Sequence, residues 1–223
     1  METFRFPLVA VFLFLLSVPS GSAQTYDAAR DFSTQSNPNG VWSYGWLLSP
    51  TGPLTLYTSG STCNQFPGIS EWAQGPCDSS EPPLVRHDDT DQALCYESWC
   101  IGPTYLVLSP GEPDTNLEYS VVRFTAPASG RFLLQGTFAG ADAVGPTSVD
   151  VHVLLDGKIS LLSGPITSYK LPMQFAAVKH LNAGDTIDFM VGAGNNSDWH
   201  CDSTAIQFQV STTGTTKAQQ GGR

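Results

Sequence analysis

The chain has 223 residues, 20 acidic and 10 basic side chains, and a formal net charge of −10. Acid outnumbers base two to one, which speaks against a nucleic-acid partner, and 41% hydrophobic with 11% aromatic residues speaks against a disordered acidic chain. Only 13% of residues are charged and Lys and Glu are scarce, against a coiled coil or helical bundle, while 21 glycines and 16 prolines imply many turns.

Residues 1–23 read as a secretory signal. Arg5 gives a short basic start, and Leu8 to Leu16 is an apolar run of h-region length, too short to span a bilayer. Gly21-Ser22-Ala23 places small residues where a signal peptidase needs them, so cleavage is expected before Gln24. The competing account is an uncleaved membrane anchor. No second apolar segment follows, so the mature chain is expected to be soluble and secreted or periplasmic, with no membrane contact after cleavage. Removing one Arg and one Glu leaves its charge unchanged.

No part of the remaining chain holds an amphipathic 3.6-residue period over three turns, whereas period-2 alternation recurs. Trp42, Tyr44, Trp46 and Leu48 share one face of a first strand, and Leu54 and Leu56 begin a second. From Thr62 to Ser80 the chain reads as loop. Residues 104–108 form a short apolar strand stopped by Ser109-Pro110-Gly111. Tyr119 to Thr125 is a strand, Pro127 to Gly130 a turn, and Arg131 to Phe138 the return. Val149, Val151, Val153 and Leu155 line the core face of the next strand, with Asp150, His152 and Leu154 outside. Asp156-Gly157 is a type I′ hairpin signal, with Ile159 and Leu161 on the partner strand. Asn182 to Asp185 turns into Ile187, Phe189 and Val191, and Ile206, Phe208 and Val210 mark the last strand. About nine or ten strands at this spacing predict an all-β protein, a single antiparallel sandwich of jelly-roll type over residues 24–211. Residues 62–101 form a Cys-rich insert, and 212–223 a disordered tail.

Five cysteines in a secreted chain imply disulfides. Local pairs close short loops at least cost, which favours Cys63–Cys77 and Cys95–Cys100 and leaves Cys201 outside them. No C-x-x-C pair or finger-spaced His supports a metal–thiolate site.

Asp31-Phe32-Ser33, Asn37 to Gly45, Val121 to Pro127, Leu181 to Phe189 and Asp202-Ser203-Thr204 together resemble a group of secreted bacterial jelly-roll proteins of largely uncharacterised function. The resemblance spans residues 27 to 210. It implies a sandwich similar to carbohydrate-binding modules and other galactose-binding-like domains. The chain departs from the group in lacking a C-terminal apolar sorting helix and in carrying the Cys-rich insert.

The Trp42/Tyr44/Trp46 stripe reads as core rather than as a sugar platform, because three large aromatics on one strand face bury much apolar area. Trp72, Trp99 and Trp199 stand in polar sequence beside Glu71, Glu97, Asp198 and Asp202. Loop tryptophans flanked by carboxylates suit stacking on a sugar ring while the acids accept hydroxyl hydrogens. The competing account is that each tryptophan plugs the sandwich edge or packs on a disulfide. Asp185, Asp188 and Asp202 are a candidate Ca²⁺ constellation of hard oxygen ligands. His87-Asp88-Asp89-Thr90-Asp91 reads as a solvated turn. His200-Cys201-Asp202 cannot readily converge on one ion, because neighbours on an extended chain point to opposite sides.

No G-x-S-x-G, H-E-x-x-H or phosphate-cradling Gly loop occurs. The sequence therefore reads as a secreted, monomeric, non-catalytic module binding a glycan or cell-surface component. The ligand contacts would be Trp72, Trp99, Trp199, Glu71, Glu97 and Asp198. The alternatives are a structural or adhesion protein and a polysaccharide hydrolase or lyase, which needs only two suitably spaced carboxylates.

Overall fold

The structure is a computed structural model that describes residues 23–79, 82–96, 98–111, 118–145, 147–196 and 199–213. The expected leader up to residue 22 and the tail beyond 213 lie outside them. In chain order the strands are β1 (Thr25–Asp27), β2 (Trp42–Leu47), β3 (Thr55–Leu56), β4 (Ser59–Thr62), β5 (Ile69–Ala73) and β6 (Leu84–Asp88). They continue with β7 (Leu94–Tyr96), β8 (Trp99–Ile101), β9 (Leu106–Ser109), β10 (Tyr119–Thr125) and β11 (Gly130–Gly140). The remainder are β12 (Val149–Leu155), β13 (Ile159–Ile166), β14 (Met173–Leu181), β15 (Thr186–Gly192) and β16 (Thr204–Thr212).

Two antiparallel sheets face each other as a sandwich. The larger runs β14-β11-β16-β9-β6-β5-β4, with β1 also paired to β16, and the smaller runs β13-β12-β15-β10-β2-β3. Strands β7 and β8 form a separate hairpin. The chain is thus an all-β, jelly-roll-type sandwich.

Sixteen strands among the described residues exceed the nine or ten expected. Most of the surplus lies in or beside the stretch read as insert and loop, and β1 and β14 add two more. Strand β5 is buried at all five positions, so it carries no in/out alternation to betray it. By contrast β12 and β16 show the alternation that makes them legible. At the β12–β13 hairpin, Asp156 and Gly157 have φ of 52° and 60°, the pair of left-handed residues that a type I′ turn requires.

The main core lies between the sheets. Trp42, Tyr44, Val122, Phe124, Phe132, Phe138, Phe189, Phe208 and Val210 are all buried there. Trp42 packs edge-on to Phe124 at 5.4 Å, and Phe189 stacks on Phe208 at 4.0 Å. The Trp42/Tyr44 stripe is therefore core, with Trp46 packed against it. No helix among the described residues is long and apolar enough to cross a membrane.

Candidate functional site: the outer face of the large sheet

Strand alternation sends half of each strand of the large sheet away from the sandwich core. On the β4-β5-β6-β9 half, these outward residues are roofed by the Cys-rich insert. Cys63, Ile69, Cys77, Trp99, Ile101, Val107 and Ala141 form a second buried cluster, with Phe66, Leu94, Tyr96 and Tyr105 packed against it. Disulfides Cys63–Cys77 and Cys95–Cys100 hold the insert together, and neither includes Cys201.

The centre of this small core is charged. Glu71 on β5 and Arg86 on β6 are cross-strand partners. Arg86 Nε donates to Glu71 Oε2 at 2.8 Å, with the Glu71 side chain fully buried. The guanidinium carbon also lies 5.1 Å from the Phe66 ring centroid and 4.9 Å from that of Trp99. Arginine suits this position because its weakly hydrated planar cation can stack on rings while holding a carboxylate. Cys63, Glu71 and Cys77 place ligand-type atoms within 4.8 Å of one another. The two sulfurs are bonded to each other and Glu71 holds Arg86, so the trio reads as structural.

These placements revise the residues singled out from sequence. Trp72 and Trp99, expected in end loops, are strand residues exposed by only 5% and 7%. Trp72 faces the inter-sheet core, where its ring stacks on Tyr44 at 6.3 Å and its Nε1 donates to Ser33 O at 2.8 Å. Trp99 lies on the opposite face of the same sheet, in the roof. The two cannot share a ligand. Trp199 is half-buried in the β15–β16 loop, stacked on His200 at 4.5 Å. Glu97 and Asp198 lie outside the described residues.

The three candidate calcium ligands are not brought together either. Asp185 closes its own turn by accepting from Asn182 N–H at 2.8 Å. Asp188 is a buried partner of Arg123, which donates to it through Nε at 2.5 Å and Nη2 at 2.9 Å. Asp202 accepts from Ser148 N–H at 2.8 Å, beside the far end of β15. Asp185 and Asp202 thus flank a seven-residue strand, about 20 Å at the usual rise. The His87–Asp91 turn is tied down rather than merely solvated. Asp88 is buried and accepts from Thr90 N–H and Oγ1, and His87 Nδ1 lies 2.7 Å from Asp89.

The other half of the large sheet's outer face, over β16, β11 and β14, is open. Ladder register stacks its outward residues in rows: Ala139 beside Ala205, Thr137 beside Gln207, and Gln135 beside Gln209. Two depressions, of about 260 and 570 Å³, share Thr137 and Gln207 and so form one trough. Its narrow end is floored by the small residues Ala139, Gly140 and Ala205 and flanked by Tyr105 and Tyr169. Its wide end is lined by Gln135, Gln174, Gln207 and Gln209. Gln209 is oriented by donating to Asp27 at 2.8 Å. The insert supplies one wall through Cys100, with Tyr105 beside it, and the β13–β14 connection supplies the other through Tyr169 and Lys170.

Lys170 adopts φ 57°, a left-handed conformation that costs a non-glycine residue about 1 kcal/mol. Its N–H donates to Gly140 O at 3.0 Å and its Nζ sits 4.7 Å over the Tyr169 ring. A hydrogen bond and the charge of Tyr169 push the Lys170 ammonium up from its ordinary value. Burial pushes the Tyr105 phenol up, against the opposing pull of Lys170. The Tyr105 phenol therefore stays a neutral hydrogen-bonding group at ordinary pH.

Apart from Cys100, expected only as a disulfide partner, none of these trough residues was singled out from sequence. The available signal was weak: Gln207 and Gln209 alternate with Ile206, Phe208 and Val210, marking an outward face made of amides instead of charges.

The small sheet presents a different outer face. Leu47, Val121, Leu154 and Met190 are buried there. Beside them, Asp150 Oδ2 lies 2.7 Å from His152 Nε2 and accepts from Tyr119 OH at 3.0 Å, while Oδ1 accepts from Gly194 N–H at 3.0 Å. Burial raises the Asp150 carboxyl, but these hydrogen bonds outweigh it and hold the group below its ordinary value.

No protein-family model matches this sequence, and no curated protein does. Among solved structures, the chain is similar to CBM51 from Clostridium perfringens GH95 in complex with methyl-galactose. Identity is 15% and the TM-score 0.37, over 71% of this chain and 95% of that one. A family 35 carbohydrate binding module from Clostridium thermocellum matches at 20% identity and a TM-score of 0.30, over 52% of this chain and 80% of that one. Rabbit GITRL matches at 10% identity and a TM-score of 0.27, over 67% of this chain and 96% of that one. At these scores the likeness carries no functional argument, and the chain's own trough remains the candidate site.

Proposed function

We propose that the protein is an extracellular, non-catalytic carbohydrate-binding module that takes an oligosaccharide in the trough over β11, β14 and β16. The observation that carries this reading is the lining: four glutamine amides, the Thr137 hydroxyl and two tyrosines, with no carboxylate among the described lining residues. A sugar hydroxyl both donates and accepts, and an amide or hydroxyl can answer it either way without surrendering the hydration of a charge. Tyrosine adds a flat apolar ring with a polar tip, suited to the mixed surface of a sugar. Two-carboxylate hydrolysis needs a pair of acids about 5 to 10 Å apart, and the described trough supplies none. Binding is therefore assigned to it rather than cleavage. Two disulfides and the apolar leader sequence support an extracellular setting.

A glycan array followed by calorimetry on the purified chain tests the proposal. Saturable binding should weaken about tenfold or more in Tyr169→Ala and Gln207→Ala, with melting temperature unchanged. Absence of binding to every glycan, or unaltered affinity in both variants, would overturn it.

A further inference from the structure

The trough does not end at its glutamines. We infer that it is one stretch of a longer track along the sheet, and that its ligand is a glycan chain carrying anionic groups. The inference rests on the carbohydrate reading of the trough.

Beyond Gln135 and Gln209 the outward rows continue as Leu133 beside Ser211 and then Arg131 beside His180. From Ala139 to Arg131 is eight residues of one antiparallel strand, about 27 Å. That is the length of an oligosaccharide rather than of one sugar. At the far end Arg131 and His180 line a further depression of about 810 Å³, which also reaches Tyr26, Val41 and Phe132 at the rim of the inter-sheet core.

Charge is what distinguishes this track. The chain carries 20 acidic side chains, yet no carboxylate lines any of the three depressions among the described residues; the Asp27 carboxylate stands behind the floor, taken up by the Gln209 amide. The ion pairs among the described residues use Arg30, Arg86, His87, Arg123 and His152. Arg131 and His180 are exposed cross-strand neighbours and belong to none of them. Lys170 stands at the opposite end. Arg131 and Lys170 therefore bracket a neutral amide floor on a body of formal net charge −10. A polyanion would be repelled by most of the surface and admitted here, so electrostatics would select both the ligand and its place. The arginine fork can hold a carboxylate or a sulfate through paired hydrogen bonds.

The experiment is calorimetry of the purified chain with oligogalacturonate, with its methyl ester, and with a sulfated galactan oligosaccharide. The free acid or the sulfated chain should bind about three- to tenfold more tightly than the ester at low ionic strength. The margin should close at about 1 M salt, where screening acts within about 3 Å. The double variant Arg131→Gln/His180→Gln should lose the margin while keeping its binding to the ester and its melting temperature. Preference for the carboxylated over the sulfated chain, or the reverse, identifies the anionic group. Equal affinity for acid and ester, or a margin that survives the double variant, overturns this inference alone. If no oligosaccharide binds, acidic or neutral, the carbohydrate reading falls and this inference with it.

Discussion

Arg86 donates to Glu71 across 2.8 Å on a carboxylate that solvent does not reach, and the Trp99 ring lies against the same guanidinium. This contact pins the Cys-rich insert to the outer face of the large sheet. The insert then bounds the open half of that face through Cys100. A residue that looks like a sugar platform in sequence instead decides where the trough begins.

Breaking the pair on one side should be costly. Arg86→Met leaves a buried carboxylate without its cation, which typically costs about 3–5 kcal/mol. Glu71→Gln/Arg86→Met together should recover a large part of that loss, since neither charge is stranded. Urea unfolding of the two single variants and the double gives the coupling directly. Strict additivity would show that the pair is not coupled.

Trp99 and Tyr169 should separate stability from binding. Trp99→Ala removes a buried ring from the small core and should cost about 3–5 kcal/mol. Tyr169→Ala touches the trough wall and should leave the unfolding midpoint nearly unchanged while lowering glycan affinity. The expected pattern is read by pairing thermal melts with calorimetry. A Trp99→Ala protein as stable as the native chain would contradict the roof's role.

The Asp150 cluster gives a pH dependence of definite sign. Its hydrogen bonds hold the folded carboxyl below the ordinary value, so the folded state binds its proton less readily than the unfolded chain. That stabilisation is fully present above the ordinary carboxylate range and is lost as pH falls through the depressed folded value. Asp150→Asn should therefore cost about 1 kcal/mol near neutrality, with the group partly exposed to solvent. The gap between variant and native protein should close well below about pH 4. Denaturant melts across acid pH check this, and a gap that widens on acidification would refute it.

Gly136 stands where β11 passes β16. A Cβ added there would collide with the Gln207 carbonyl oxygen and the Phe208 ring. Backbone cannot yield as a flexible side-chain tip can, so Gly136→Ala should destabilise by about 1–3 kcal/mol or more. Gly157→Ala meets open space but a left-handed φ of 60°, and should cost about 1 kcal/mol. Chemical unfolding of both variants tests the order, and equal losses would show that the crossing is looser than the geometry implies.

Composition and alternation alone were enough to define the sandwich class and most of its long strands. Val149 to Leu155 and Ala205 to Ser211 alternate because one side meets the core and the other does not, a difference written locally into the chain. The Asp156-Gly157 turn is local for the same reason, being a backbone requirement of two residues. The short range of the two cysteine pairs likewise made a loop-closure argument usable.

What the sequence left undecided was which of two covered faces each remaining residue meets. Trp72 and Glu71 are neighbours in the chain, yet Trp72 enters the inter-sheet core and Glu71 the core beneath the insert. Nothing local distinguishes them, because β5 is buried on both sides. The trough is also non-local. Gln135, Gln174 and Gln207 come from three strands, and they become one surface only when antiparallel register sets them in adjacent rows. The charge of −10 was legible from composition. That no carboxylate lines the trough among the described residues, while Arg131 and Lys170 stand at its two ends, was decided by tertiary pairing, which places the described acids in caps, turns and ion pairs.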